Sequence, residues 1–135
     1  MWSRLALVAL GGALGAVARH VISGWVSQWT ATALASDHPL SGLPWGTLLV
    51  NLVGSAVLGL LMAASLGPGG WVPEPYRLLI GTGFLGALTT FSTFSVETLA
   101  ALQAGETKTA VVYVVLSVVG GLSAAALGWS VGQRL

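Results

Sequence analysis

Four apolar stretches, at approximately 4–28, 45–66, 76–103 and 108–131, take up most of this chain, and each reaches the roughly 20 residues that a helix needs to cross a bilayer. The expected fold is an all-α membrane protein with a single transmembrane domain over 1–135. Composition agrees: of 135 residues 55% are hydrophobic and 7% charged, where a soluble domain carries about 25% charge, and the mean hydropathy is +0.87. Residues 36–44 and 67–75 carry all five prolines and read as loops. Only a turn around Gly105-Glu106 separates the last two spans, so no soluble domain fits. The apolar stretch after Met1-Trp2-Ser3-Arg4 continues past Gly15 and Ala18 without a cleavage context, and so reads as the first span rather than a signal peptide.

Several function classes fall away on composition. With no cysteine there is no disulfide scaffold, no thiolate catalysis and no cysteine-type zinc site. A formal net charge of +1 leaves no basic patch for nucleic acid and no acidic tail. Trp25, Trp29, Trp45, Trp71 and Trp129 fall near the span ends, where amphipathic rings favour the headgroup level.

Small residues recur at four-residue spacing in Gly11 and Gly15, in Ser55 and Gly59, and in Gly120, Ala124 and Gly128, which lets helices approach closely. Four spans cannot enclose a roomy pore, so a homo-oligomer is expected, most economically a two-fold dimer. Arg4, Arg77 and Arg134 belong to one side of the membrane, and Lys108, with Arg19, to the other. So weak a bias in basic residues would let the chain insert both ways and form an antiparallel dimer.

The third stretch is unlike a lipid-facing helix. Gly81-Thr82-Gly83-Phe84-Leu85-Gly86-Ala87-Leu88-Thr89-Thr90-Phe91-Ser92-Thr93-Phe94-Ser95 concentrates glycines, hydroxyls and phenylalanines. Glycines followed by Thr-Thr weaken helix propensity, and broken backbone at membrane depth is tolerated only where protein buries it or a cavity wets it. A discontinuous helix that binds or conducts something is expected.

Thr47, Asn51 and Ser55 follow an i, i+4, i+8 stripe on the second span. Asn51 offers an amide N–H to an anion, or an interhelical hydrogen bond. Tyr113, Ser117 and Gly121 form the same stripe on the fourth span. They would line a file of ions or waters, or else pack, with Ser117 bonded back to its own helix. Phe91 and Phe94, three apart, share a helix face. Such pairs often only pack, yet the positive ring edges can hold a dehydrated anion without a full charge, and throughput needs weak sites. Glu97 reads as an acceptor that fixes neighbouring hydroxyls, since a bare carboxylate would repel anions. Arg19 either attracts anions in a mouth or makes a structural hydrogen bond, and His20 reads as interfacial. Ser92 and Ser95 have no histidine or aspartate within a span core to act as base, so no enzyme is expected.

The 83–95 run, with Gly46-Thr47-Leu48-Leu49-Val50-Asn51 and Gly11-Gly12-Ala13-Leu14-Gly15-Ala16-Val17-Ala18-Arg19, resembles the Fluc (CrcB) fluoride channels across all four spans. The resemblance implies a dual-topology antiparallel homodimer with two pores in the cell membrane, passively exporting fluoride. Its pore residues would match Phe91, Phe94, Asn51, Thr47, Thr93, Glu97, Tyr113 and Ser117. It also implies a structural sodium ion at the dimer centre, held by the main-chain carbonyls of Gly86 and Thr89. Where some relatives continue the fourth-span track with a second serine, this chain has Gly121. Small antiparallel multidrug exporters are the rival resemblance, but they want a carboxylate in the middle of the first span, which is absent here. A structural subunit of a larger membrane complex is the third possibility.

Overall fold

Residues 1–35, 38, 40–67 and 70–135 are described by the computed structural model. Ser36, Asp37, Pro39, Pro68 and Gly69 of the two expected loops lie outside the described residues. The first helix, α1 (Trp2–Ala33), runs about one turn beyond the apolar stretch. Polar residues do not stop it, because Thr30 and Thr32 return their hydroxyls to the carbonyls of Val26 (3.0 Å) and Trp29 (2.8 Å). Pro44 leads into α2 (Trp45–Leu66). The third span, Glu74–Gln103, is composite, and α6 (Thr107–Gly132) completes the bundle. All four are long and apolar enough to cross a membrane, and the described residues contain no strand.

Helix α2 is the centre of the bundle, burying Gly46, Thr47, Leu48, Val50, Gly54, Leu61, Ala63 and Ala64. One core cluster joins Val50 and Leu61 to Leu85 and Leu88 of the third span, and another joins Leu48 to Leu43 and Tyr113. By contrast α1 and α6 turn large apolar side chains outward, Leu122 being 70% exposed. Lipid is the solvent that such a surface fits.

Glycine contacts set the helix spacing. A Cβ on Gly11 or Gly15 of α1 would overlap the carbonyl oxygens of Leu79 and Phe84 in the third span. A Cβ on Gly128 of α6 or Gly59 of α2 would overlap Ala56 or Ala125 backbone. The small-residue faces thus bring helices of this chain together, where dispersion, with no hydrophobic drive, rewards close backbone approach.

The third span begins with α3 (Glu74–Tyr76), Pro75 sitting in its first turn where a missing N–H costs nothing. A π-helix follows over Arg77–Leu85, then the short α4 (Gly86–Leu88). The chain opens at Thr89 (φ −79°, ψ 151°) and Thr90 (φ −149°, ψ 120°) before α5 (Phe91–Gln103). The break therefore falls on Thr-Thr near the middle of the span, while Gly81 and Gly83 stay helical and buried. Gly83 is there for proximity: a Cβ would lie 2.9 Å from the Gly11 Cα. Helix α5 ends where Gly105 takes φ +79°, and the N–H groups of Gly105 and Glu106 close back on Leu102 (3.1 Å) and Ala101 (2.9 Å). That is the glycine stop expected of the Gly105-Glu106 turn.

This packing predicts that Gly15→Val lowers stability by at least about 1–3 kcal/mol, since the backbone it strikes cannot move aside cheaply. Gly24→Ala, whose Cβ meets nothing within 4 Å, leaves it unchanged or slightly raised. Thermal unfolding in detergent, read by circular dichroism, checks the contrast.

Candidate functional site

Asn51 of α2 takes over the backbone of the broken span. Its Oδ1 accepts the Thr90 N–H at 2.8 Å and its Nδ2 donates to the Thr90 carbonyl at 3.2 Å. In a continuous helix that N–H would bond to the carbonyl of Gly86, four residues back. The side-chain amide replaces the helical partner, so the chain can leave the helix without stranding a donor in a dry interior. Asn51 is thus an interhelical bond first, with its second N–H left over.

Threonines finish the break. Thr90 caps α5, its Oγ1 accepting the Thr93 N–H at 3.3 Å and donating to Thr93 Oγ1 at 3.1 Å. Thr89 Oγ1 donates to the Leu85 carbonyl at 3.0 Å, and the Thr89 methyl rests in the space left by Gly54, where a Cβ would overlap it. Thr90, not among the expected site residues, is a structural centre, and threonine before an apolar run is a recognised N-cap.

Below the break, Glu97 of α5 accepts from Thr47 Oγ1 of α2 at 2.8 Å and from Tyr113 Oη of α6 at 2.6 Å. The carboxylate fixes the hydroxyls of two other helices, as expected of it. Both donors are buried, so each hydroxyl needs the partner that Glu97 supplies. Phe94 lies between this knot and the break, its ring centroid 5.2 Å from Tyr113 and 5.6 Å from Phe91, tilted in both pairs. Phe91 at the end of this row is 79% exposed.

The expected site residues do not line one cavity. Asn51, Phe91, Phe94 and Ser117 face a cavity of about 250 Å³ that opens at the break. Arg19, Thr47 and Thr93 face another of about 190 Å³, beside His20. Glu97 and Tyr113 face a third of about 290 Å³, toward the Gly105 end. Two polar atoms in this region are buried without a hydrogen-bond partner, Arg19 Nε and Ser117 Oγ. Ser117 therefore does not bond back to its own helix. Gly86 and Thr89 flank the opening, Gly86 exposed and Thr89 partly so.

The architecture is that of a multi-pass membrane protein whose third span is broken midway, beside a cavity lined by hydroxyl side chains and two phenylalanine rings. Sequence comparison places it further. Residues 6–129 match the family described as CrcB-like protein, Camphor Resistance (CrcB). A relative in Bordetella petrii, named fluoride-specific ion channel FluC, is 47% identical over 128 residues, 95% of this chain and 90% of that one. Relatives of the same name in Magnetococcus marinus and Thermus thermophilus are 45% and 42% identical, each over 98% of this chain and 99% and 95% of theirs. The chain belongs to the CrcB family.

If Asn51 holds the break, Asn51→Leu removes both bonds and strands the Thr90 N–H and C=O, a loss of about 2 kcal/mol or more. Chemical unfolding in detergent measures it. A change below about 0.5 kcal/mol would show that the break stands without the clamp.

Proposed function

We propose that this chain conducts fluoride passively across the cell membrane as an antiparallel, dual-topology homodimer, lowering the cytoplasmic concentration of the ion. The observation that carries the reading is the cavity at the break, where the unpartnered Ser117 hydroxyl meets the Phe91 and Phe94 rings. A small, hard anion is the ligand that accepts from O–H donors and sits against the positive edges of rings. No lysine or arginine lines that cavity, so an ion held there is not trapped. Arg19, which lines the neighbouring cavity, supplies attraction at the approach. Relatives of nearly the same length named as fluoride-specific channels support the choice of ion. The CrcB family match and the relatives named as ion channels support a channel rather than an enzyme.

Dimerisation is supported by Phe91, whose ring stands uncovered at the middle of the bundle. The near balance of Arg4, Arg77 and Arg134 against Arg19 and Lys108 supports insertion both ways. A sodium ion on the two-fold axis, held by the Gly86 and Thr89 carbonyls of both protomers, fits the local chemistry. Thr90 donates to Asn51 rather than to Gly86, and a carbonyl so released is a hard ligand suited to an alkali cation. Bound there, sodium would neutralise facing carbonyl dipoles and join the protomers.

Liposomes holding the purified protein should release fluoride far faster than protein-free ones, and chloride slowly. Phe91→Ile or Phe94→Ile should cut fluoride efflux roughly tenfold or more, the bulk being kept and the ring edge lost. Absence of wild-type efflux, or wild-type rates in both variants, would defeat the reading.

Tags at either terminus should be reached by a membrane-impermeant reagent in about half of the molecules, as an antiparallel pair requires. A high-resolution structure should show density for an alkali ion between the Gly86 carbonyls on the two-fold axis. A single orientation removes the antiparallel dimer, and an empty axis removes the ion.

A further inference from the structure

Hydroxyls in these spans mostly return to their own helix. Ser23, Ser65, Ser95 and Thr98 each donate to the carbonyl four residues back. Ser55 of α2 makes no such bond and has no hydrogen-bond partner among the described residues, the condition also found for Ser117 of α6. Both face the cavity of about 250 Å³ at the break. The Ser117 hydroxyl is buried and calls for an acceptor, and the half-buried Ser55 hydroxyl across the same cavity is free to donate to the same acceptor.

The surroundings of Ser55 give it a place along a path. On α6 the stripe of Tyr113 and Ser117 ends at Gly121, which has no side chain to continue it. A Cβ built on Gly121 would lie 3.9 Å from Ser55 Oγ, an ordinary contact, so the gap on α6 is faced by the hydroxyl of α2. Ser55 is also the residue that this cavity shares with an apolar groove of about 400 Å³ along Leu58, Met62, Ala125 and Trp129. That groove leads toward the ends of α2 and α6, Trp129 being in the last turn of Thr107–Gly132.

We propose that Ser55 is an anion-contacting residue of the permeation path. The file of O–H donors crosses from Ser117 on α6 to Ser55 on α2 where Gly121 interrupts it. From Ser55 a small hard anion passes into the apolar groove, where the Trp129 indole N–H is the one further side-chain donor among the lining residues and water must accompany the ion. No bond is made or broken; the hydroxyl donates a hydrogen bond to the anion in place of hydration. The proposal rests on anion conduction by this chain.

The test is potassium fluoride efflux from liposomes holding wild-type protein, Ser55→Ala, and Ser55→Ala combined with Gly121→Ser. A wild-type rate above that of protein-free liposomes is required first, and its absence would condemn the conduction reading rather than this one. Ser55→Ala should conduct roughly tenfold more slowly, as expected for a lost hydrogen bond to an ion, with its elution as an assembled dimer unchanged. Gly121→Ser places a hydroxyl in the facing gap and should recover at least part of the rate. A merely structural serine would not be replaced from the opposite helix. Wild-type flux in Ser55→Ala, or a loss that Gly121→Ser leaves unrelieved, overturns the proposal.

Discussion

The pairing of the Asn51 side-chain amide with both backbone groups of Thr90 is the interaction on which the other features depend. A helix can be opened in hydrocarbon only if something else satisfies the peptide groups it releases, and each one left bare would cost several kcal/mol. Asn51 is suited to this because its amide offers the same donor and acceptor as a peptide. With that clamp in place, Thr89 and Thr90 can be extended, and Thr90 can cap α5 as a new helix. Phe91, the first residue of α5, then stands at the opening.

A second interaction governs the electrostatics. Glu97 would be a poor neighbour for an anion path if its charge were unmatched. Two O–H donors, from Thr47 and Tyr113, are aimed at its separate oxygens, which disperses the charge and ties α2, α5 and α6 at one level. Phe94 lies between this carboxylate and the cavity at the break. The cavity is lined by weak donors and phenylalanine rings with no full charge of either sign, while Arg19 stands in a separate cavity. In the proposed reading, attraction and passage are thereby assigned to different places.

How much of this could be read from the residues differs from part to part. Span number and the Gly105 stop follow from hydropathy and turn chemistry, which are local. The end of α1 was missed by a turn because Thr30 and Thr32 satisfy themselves within the helix, which hydropathy does not register. The break was expected within 81–95 from its glycines and Thr-Thr together, and it falls on the threonines alone. Gly83 is instead a contact surface for α1, and the chain opens where a partner on another helix accepts it. Spacing placed Thr47, Asn51 and Ser55 on one face, but it could not say that each meets a different neighbour: Glu97, Thr90 and the open cavity. Division of the expected site among three cavities is a tertiary fact, set by helix crossings that no periodicity encodes.

Amide hydrogen exchange at Thr90 tests the central claim most directly. Although it lies outside any helix, its N–H should exchange as slowly as amides within α5, and it should become fast in Asn51→Leu while those of α2 stay slow. Rapid exchange at Thr90 in the unaltered protein would mean that the side-chain clamp does not hold the break, and the account built on it would fail.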